Sequence, residues 1–315
     1  ESIIVELVNH RYALKNCKNF GFAGGLALNA VANAKLVNQT PFENYYFQPA
    51  AADNGLAIGC AYYGWLNVLN KPRVKHSGSA YLGKTYSPES IKQALVAYED
   101  KVKISKPERV IESTVNLLAD GKVVAWFEKG SEFGPRALGH RSILADPRNP
   151  NIRDYINSKV KFREDFRPFA PSVPLDKVTN YFDCDSQYES PYMILVTQML
   201  EEWKDKIPAV VHADGSSRVQ TVTEEISPNY YQLITQFGEK TGVSVLLNTS
   251  FNKKGMPIVE TPEQALEYFM ECGLDVLVLD GYIVEKITMD EIINVDERNE
   301  WDKGLGALYP ENVGI

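Results

Sequence analysis

Basic side chains crowd one stretch of an otherwise acidic chain. Between residues 129 and 167 stand Lys129, Arg136, Arg141, Arg148, Arg153, Lys159, Lys161, Arg163 and Arg167. These nine face five acids, Glu132, Asp146, Asp154, Glu164 and Asp165, so the stretch carries +4 in a chain of net charge −8. A solvated basic face is the plain reading. Three features favour an anion pocket for one or more phosphates. Arg136 follows Phe133-Gly134-Pro135, and Arg167 sits in Phe166-Arg167-Pro168-Phe169, turn and aromatic contexts that order backbone. Lys161 and Arg163 alternate, so on a strand both reach one face. The guanidinium fork also matches the oxygens of phosphate and carboxylate two at a time.

Three smaller constellations stand beside it. Ala209-Val210-Val211 run into His212-Ala213-Asp214-Gly215-Ser216-Ser217-Arg218-Val219-Gln220, which reads as a strand delivering a loop of hydrogen-bonding groups. A simple turn with an exposed histidine is the alternative. Val245-Leu246-Leu247 precede Asn248-Thr249-Ser250-Phe251-Asn252. Short polar residues at a strand end either satisfy loop backbone or hold a phosphate or ribose, and strand ends are where α/β sheets take ligands. Gly24-Gly25 follows the strand-like Phe20–Ala23, a way to bring backbone close to a ligand. Asp53, before Asn54-Gly55, is a helix cap or a metal ligand. The sequence holds no P-loop lysine, no HExxH and no recognised Ser/Cys nucleophile setting. Anion positioning with a bound metal therefore fits better than covalent catalysis.

The elements that must position these groups read as α/β. Helical spacing covers 3–8, strand patterns cover 20–23 and 42–47, and helices fit 26–36 and 56–69. Pro72, Gly78, Gly83 and Pro88 mark 71–87 as a linker. A helix follows Ser87-Pro88, and another covers 108–119 before a strand at 123–127. Later strands fit 193–197, 243–247 and 276–279. Later helices fit 230–240 and 262–270, the second capped by Thr261. From about residue 296 the chain is polar and reads as a surface tail. The length of 315 residues accommodates about two domains. With 44% hydrophobic and 23% charged residues, the chain is globular rather than disordered. No apolar run approaches the ~18 residues of a membrane span, and Glu6, His10 and Arg11 interrupt any signal-peptide core. The acidic balance argues against nucleic acid. Cys17, Cys60, Cys184 and Cys272 form no CxxC pair, which points to a reducing cytoplasm.

The segment Glu132-Phe133-Gly134-Pro135-Arg136-Ala137-Leu138-Gly139-His140-Arg141-Ser142-Ile143-Leu144-Ala145-Asp146-Pro147-Arg148 resembles the signature of the O-carbamoyltransferases, the nodulation-type and antibiotic-biosynthesis enzymes. Residues 161–172, 212–222 and 248–252 are similar to three further blocks of that family, in the same order. Ala23–Asn29 and Pro49–Gly55 resemble the closing half of its first domain. The resemblance implies a partial actin/sugar-kinase-like lobe over 1–75, a linker over 76–106 and a threonylcarbamoyl-adenylate-synthase-like α/β domain over 107–290, with a tail at 291–315. It implies a reaction in which ATP and carbamoyl phosphate give carbamoyl adenylate, whose carbamoyl group then passes to an acceptor hydroxyl with the aid of iron. Lys161, Arg163, Arg136 and Arg141 would converge on the phosphates, and Ser250 and Asn252 would complete the nucleotide site. Arg167, His212, Asp214, Arg218, Asn248, Thr249, Gly24 and Gly25 would line substrate or nucleotide subsites, with Mg²⁺ accompanying ATP. Asp53 would be a metal ligand.

One departure stands out. The family's iron site also needs two histidines four apart, and His10, His76, His140 and His212 make no such pair. With Glu1 as first residue, the chain reads as a C-terminal portion that forms the adenylate, binds iron weakly and does not complete the transfer. The alternatives are a non-catalytic nucleotide- or RNA-binding module and a sugar-kinase-like phosphotransferase.

Overall fold

The computed structural model of the chain describes residues 1–287, so the tail expected over 291–315 lies outside the described residues. The first unit runs α1 (Ser2–Leu14), β1 (Asn19–Phe22), α2 (Ala30–Gln39), β2 (Asn44–Phe47) and α3 (Leu56–Tyr63). β1 and β2 pair in parallel, and the connection between them is α2. The helix expected over 26–36 is broken in two. A 3₁₀ turn covers Gly25–Leu28, and Asn29 then caps α2 by accepting from the Ala32 amide at 3.1 Å. Asn29 competes with the helix for backbone donors, so the periodicity on both sides conceals a boundary.

The second unit is one mixed ten-stranded sheet. Its elements are α4 (Pro88–Val96), β3 (Val102–Ser105), α5 (Val110–Ala119), β4 (Val124–Phe127), β5 (Arg141–Ala145), α6 (Ile152–Tyr155), β6 (Ala170–Pro174), β7 (Phe182–Asp183), β8 (Leu195–Met199), α7 (Glu201–Lys204), β9 (Ser216–Val222), α8 (Pro228–Thr241), β10 (Leu246–Ser250), α9 (Pro262–Glu271), β11 (Val276–Leu279) and β12 (Tyr282–Lys286). The strand order is β3-β12-β11-β4-β5-β10-β6-β9-β8-β7. Only β11–β4 and β6–β9 pair in parallel; the rest are antiparallel.

Both faces of this sheet are covered, which explains the unbroken apolar strands Val124-Ala125-Trp126-Phe127 and Val276-Leu277-Val278-Leu279. Val124 and Trp126 join Val115, Leu118, Leu233, Ile234 and Phe237 from α5 and α8. Ala125 and Phe127 join Ile91, Leu95, Leu266 and Phe269 from α4 and α9. The segment 76–106, expected as a linker, is therefore corrected in its second half. α4 belongs to the core and β3 adds to the sheet edge beside β12, because Ile91, Leu95 and Val102 have an apolar face to bury.

A third cluster joins the two units, with Val5, Leu36 and Phe47 against Leu138, Ala170, Met193, Ile194 and Leu195. Buried Asn33 fixes the joint, donating to the carbonyls of Ala27 at 2.8 Å and Ile194 at 3.0 Å.

α9 tests the local account. The Thr261 side chain accepts from the Gln264 amide at 3.2 Å, and the Gln264 side chain returns the bond to the Thr261 amide, a reciprocal capping box. Thr261→Ala should lower unfolding free energy by about 1 kcal/mol in urea titration. A change within experimental error would show that packing alone holds this helix.

Candidate functional site

The loop 132–141 begins at a carboxylate. Glu132 is buried, and its Oε1 accepts from three backbone amides: Leu138 at 2.7 Å, His140 at 2.7 Å and Arg141 at 3.2 Å. The stacked rings of Tyr81 and His140, 3.6 Å apart, cover the loop, and Tyr81 Oη donates to the Leu138 carbonyl at 2.8 Å. Beneath it lies a buried polar row on β6, β9 and β10. Ser172 donates to Gln220 Oε1 at 2.7 Å, and Asn248 Nδ2 donates to Gln220 Oε1 at 2.9 Å and to the Ala137 carbonyl at 3.2 Å. Gln220 Nε2 donates to the Leu138 carbonyl at 2.6 Å. Asn248, expected at a nucleotide, is bonded through its Nδ2 to this loop and to the polar row. On the other side the loop backs onto the first unit. A methyl at Gly134, where φ is 149°, would press on the Pro49 carbonyl, and Arg136 Nη2 lies 3.5 Å from the Leu28 carbonyl.

This loop sends two arginines to different ends. Arg141 was expected in the phosphate pocket, and the structure corrects this. Its guanidinium lies over the Phe127 ring at 3.4 Å and donates to the carbonyls of Glu128 at 2.8 Å, His140 at 3.0 Å, Lys129 at 2.8 Å and Glu260 at 3.3 Å. Fully buried, its fork is taken up by backbone. Arg136 instead joins Arg163 and Arg218. Burial, together with Arg136 and Arg163, pulls the Arg218 pKa down to about 9, and burial lowers both partners as well. The Nε atoms of Arg136 and Arg218 are buried with no partner. No carboxylate is among the groups that shift Arg136 or Arg218. Glu164, which Arg163 feels, is itself engaged by Lys254 at 2.6 Å and Arg167 at 3.0 Å. Arg136 and Arg163 both act on Arg218, so three cations from three elements lie close enough to suit an anion.

Lys161 and Arg163 do not lie on a strand, which corrects the alternation reading. A π-helical turn over Ile156–Val160 ends at Lys161, and Phe162 takes a left-handed φ of 49°. That reversal sends Lys161 inward. Its Nζ donates to the Ser250 carbonyl at 2.6 Å and Oγ at 3.1 Å, and to the Asn252 carbonyl at 2.7 Å and Oδ1 at 2.6 Å. Burial, then Arg163, pulls the Lys161 pKa down to about 7. Arg163 Nε donates at 2.7 Å to Asn157, a buried residue that sequence reasoning missed because nothing in Ile156-Asn157-Ser158 marks it. The structure thus brings Lys161, Arg163, Ser250 and Asn252 together.

His212 lies near enough to Arg218 to feel its charge. Burial, then Arg218, lowers its pKa, while Asp214 opposes. Ser216 bridges the two, 3.1 Å from His212 Nδ1 and 2.7 Å from Asp214 Oδ1. Exposed Arg167 pairs with Glu164, and half-buried Thr249 pairs across from Ile143 on β5.

Gly24, Gly25 and Asp53 lie elsewhere. They line a cavity of about 1100 Å³ with Tyr46, His76 and Tyr192, sharing no lining residue with the arginine cluster. Gly24 needs its freedom at φ 95°, its amide bonded to the Ala51 carbonyl at 2.8 Å. Among the described residues no three of His, Cys, Asp and Glu converge on one point. Exposed Asp53 supplies a single carboxylate where a transition metal needs three or more ligands. These residues do not fit an iron centre. No helix among the described residues is long and apolar enough to cross a membrane.

Residues 115–286 match the family described as carbamoyltransferase C-terminus, and residues 1–62 match that described as carbamoyltransferase N-terminus. The uncharacterized Synechocystis sp. protein sll1178 is 40% identical over 312 residues, covering 91% of this chain and 50% of that protein. Nodulation protein NolO of Bradyrhizobium diazoefficiens is 35% identical over 289 residues, covering 91% of this chain and 53% of that protein. The chain spans about half the length of these relatives. Among solved structures, full-length HypF in its phosphate- and nucleotide-bound form aligns with a TM-score of 0.40 and 16% identity, over 56% of this chain and 22% of that one.

Two outcomes follow from the geometry. Glu132→Ala leaves three amides without their shared acceptor and should cost about 3 kcal/mol of unfolding free energy. A loss below about 1 kcal/mol would remove Glu132 as the loop's anchor. Sulfate, whose charge is constant from pH 6 to 10, tests the cation cluster. An anion raises the pKa values of Lys161 and Arg218 from about 7 and about 9, so above pH 7 binding takes up protons and affinity falls as pH rises. Calorimetry should show weakening from pH 7 to 9.5. A flat profile would contradict the placement of these groups.

Proposed function

This chain belongs to the carbamoyltransferase family, and on that premise we propose that its ten-stranded unit forms carbamoyl adenylate from ATP and carbamoyl phosphate. The observation that carries the reading is the group of Arg136, Arg163 and Arg218, in which no carboxylate acts on Arg136 or Arg218 and the Glu164 that Arg163 feels is already paired with Lys254 and Arg167. Water splits carbamoyl phosphate into carbamate and inorganic phosphate. A carbamate oxygen then attacks the α-phosphorus of ATP, the bond to the β-phosphate oxygen breaks, and pyrophosphate leaves. Both halves crowd negative charge into one place, and fixed cations in a water-poor pocket stabilise it most where it is most concentrated.

Each group has a distinct task in this scheme. The arginines hold phosphate oxygens with their forks. Lys161, positioned by Ser250 and Asn252, adds a compact positive charge and titrates near neutrality. His212, whose pKa is lowered by burial and then by Arg218, faces the same charges. Mg²⁺ would travel with ATP and neutralise its outer phosphates. Transfer of the carbamoyl group to an acceptor hydroxyl is the expected fate of the adenylate in the whole protein, and no step here is routed through iron.

The test is ATP–pyrophosphate exchange that depends on carbamoyl phosphate. Exchange is expected in the wild type. Arg163→Ala should lower its rate by about 100-fold, the loss of about 2.7 kcal/mol of transition-state contact. Asp53→Ala, in the other unit, should leave it within about twofold. Binding of ATP without exchange would favour the non-catalytic nucleotide-binding reading, and equal exchange in wild type and Arg163→Ala would remove Arg163 from the site.

A further inference from the structure

Two aromatic residues that flank Arg163 in sequence, Phe162 and Phe166, have no task in the scheme above. All 13 phenylalanines lie within the described residues, and only Phe162 and Phe166 among them are exposed, at 51% and 81%. Scattered exposed apolar residues are ordinary, but these two are held outward by the same groups that hold the cations. Asn157 Nδ2 donates at 3.2 Å to the carbonyls of Asp165 and Arg167, the residues on either side of Phe166. Asn157 Oδ1 meanwhile takes the Arg163 Nε, so Phe166 and the Arg163 side chain are referenced to one buried side chain. Glu164 closes the turn through Arg167 and Lys254. Phe162 sits at φ 49°, a conformation costly for a residue with a Cβ, with Lys161 turned inward before it and Arg163 after it. The backbone carries a cost that leaves an apolar ring in water.

Resting on the nucleotide reading of the arginine cluster, we propose that Phe162 and Phe166 form the nucleobase subsite, an aromatic platform on which the base of ATP stacks while its phosphates lie among Arg136, Arg163 and Arg218. A purine presents a flat π-face that water solvates poorly. Stacking on aromatic side chains tolerates any base and contributes measurably to affinity. A rigid platform loses little entropy when the base settles on it. The subsite accordingly selects for a nucleotide over a bare polyphosphate, and weakly among purines.

The test compares ATP with inorganic tripolyphosphate on the full chain by calorimetry. The wild type should bind ATP at least tenfold more tightly. The double variant Phe162→Ala/Phe166→Ala should lose about tenfold in ATP affinity, equivalent to about 1.4 kcal/mol, and keep its tripolyphosphate affinity and melting temperature. Phe166→Trp should retain ATP affinity and show indole fluorescence quenched by ATP but not by tripolyphosphate. Unchanged ATP affinity in the double variant, or an equal loss of both ligands at an unaltered melting temperature, would overturn the platform. If the wild type binds tripolyphosphate and ATP equally, the platform fails while the anion site stands. If it binds neither, the nucleotide reading itself fails.

Discussion

One carboxylate oxygen organises the region on which the chemistry depends. Glu132 Oε1 gathers the amides of Leu138, His140 and Arg141, a charge-assisted set that bends residues 132–141 into a closed loop. Everything else in that loop follows from the bend. His140 is brought under Tyr81, and Gly139, at φ 109°, passes so near the Tyr230 ring that no Cβ fits. Arg141 turns back into the sheet and Arg136 turns out to meet Arg163 and Arg218. The carboxylate is engaged by backbone amides and acts on Arg141, while no carboxylate acts on Arg136 or Arg218.

The two arginines of the loop show how burial alone does not define a role. Arg141 is fully buried, with both Nη atoms taken up by four carbonyls and its guanidinium over an aromatic face, although its Nε is unpaired. It ties β5 to the neighbouring loops and offers little to a ligand. Arg136 and Arg218 are half-buried, and each keeps a buried Nε unpaired. An unpaired buried donor on a cation is costly, and a bound anion relieves that cost. The sheet supplies the rigidity that holds such groups together. β9 carries Arg218, and β10 ends where Ser250 and Asn252 take Lys161.

Much of this was legible in the sequence, for identifiable reasons. The +4 stretch stands out because charge counts ignore geometry. Thr261 and Ser87 announce their helices because capping is local: Ser87 accepts from the Ser90 amide at 3.2 Å. What was not legible depends on long-range contact. Asn157 looks like any polar residue until the chain returns Arg163 to it. Arg141 and Arg136 stand five apart in one motif, and only the Glu132 loop decides which faces the pocket. The alternation of Lys161 and Arg163 mimics a strand, whereas Phe162 reverses the chain between them. β6 escaped detection because Ala170-Pro171-Ser172-Val173-Pro174 carries two prolines, which sit in a sheet here only by tolerating lost donors.

The central claim is that Arg136, Arg163 and Arg218 form one anion site. It is tested most directly by a crystal structure with tungstate, whose anomalous signal locates an anion without reference to shape. The account predicts a strong peak within hydrogen-bond reach of all three guanidiniums, lost in Arg218→Ala. Guanidiniums on separate faces, or a peak only at the exposed lysines with the cluster empty, would contradict it.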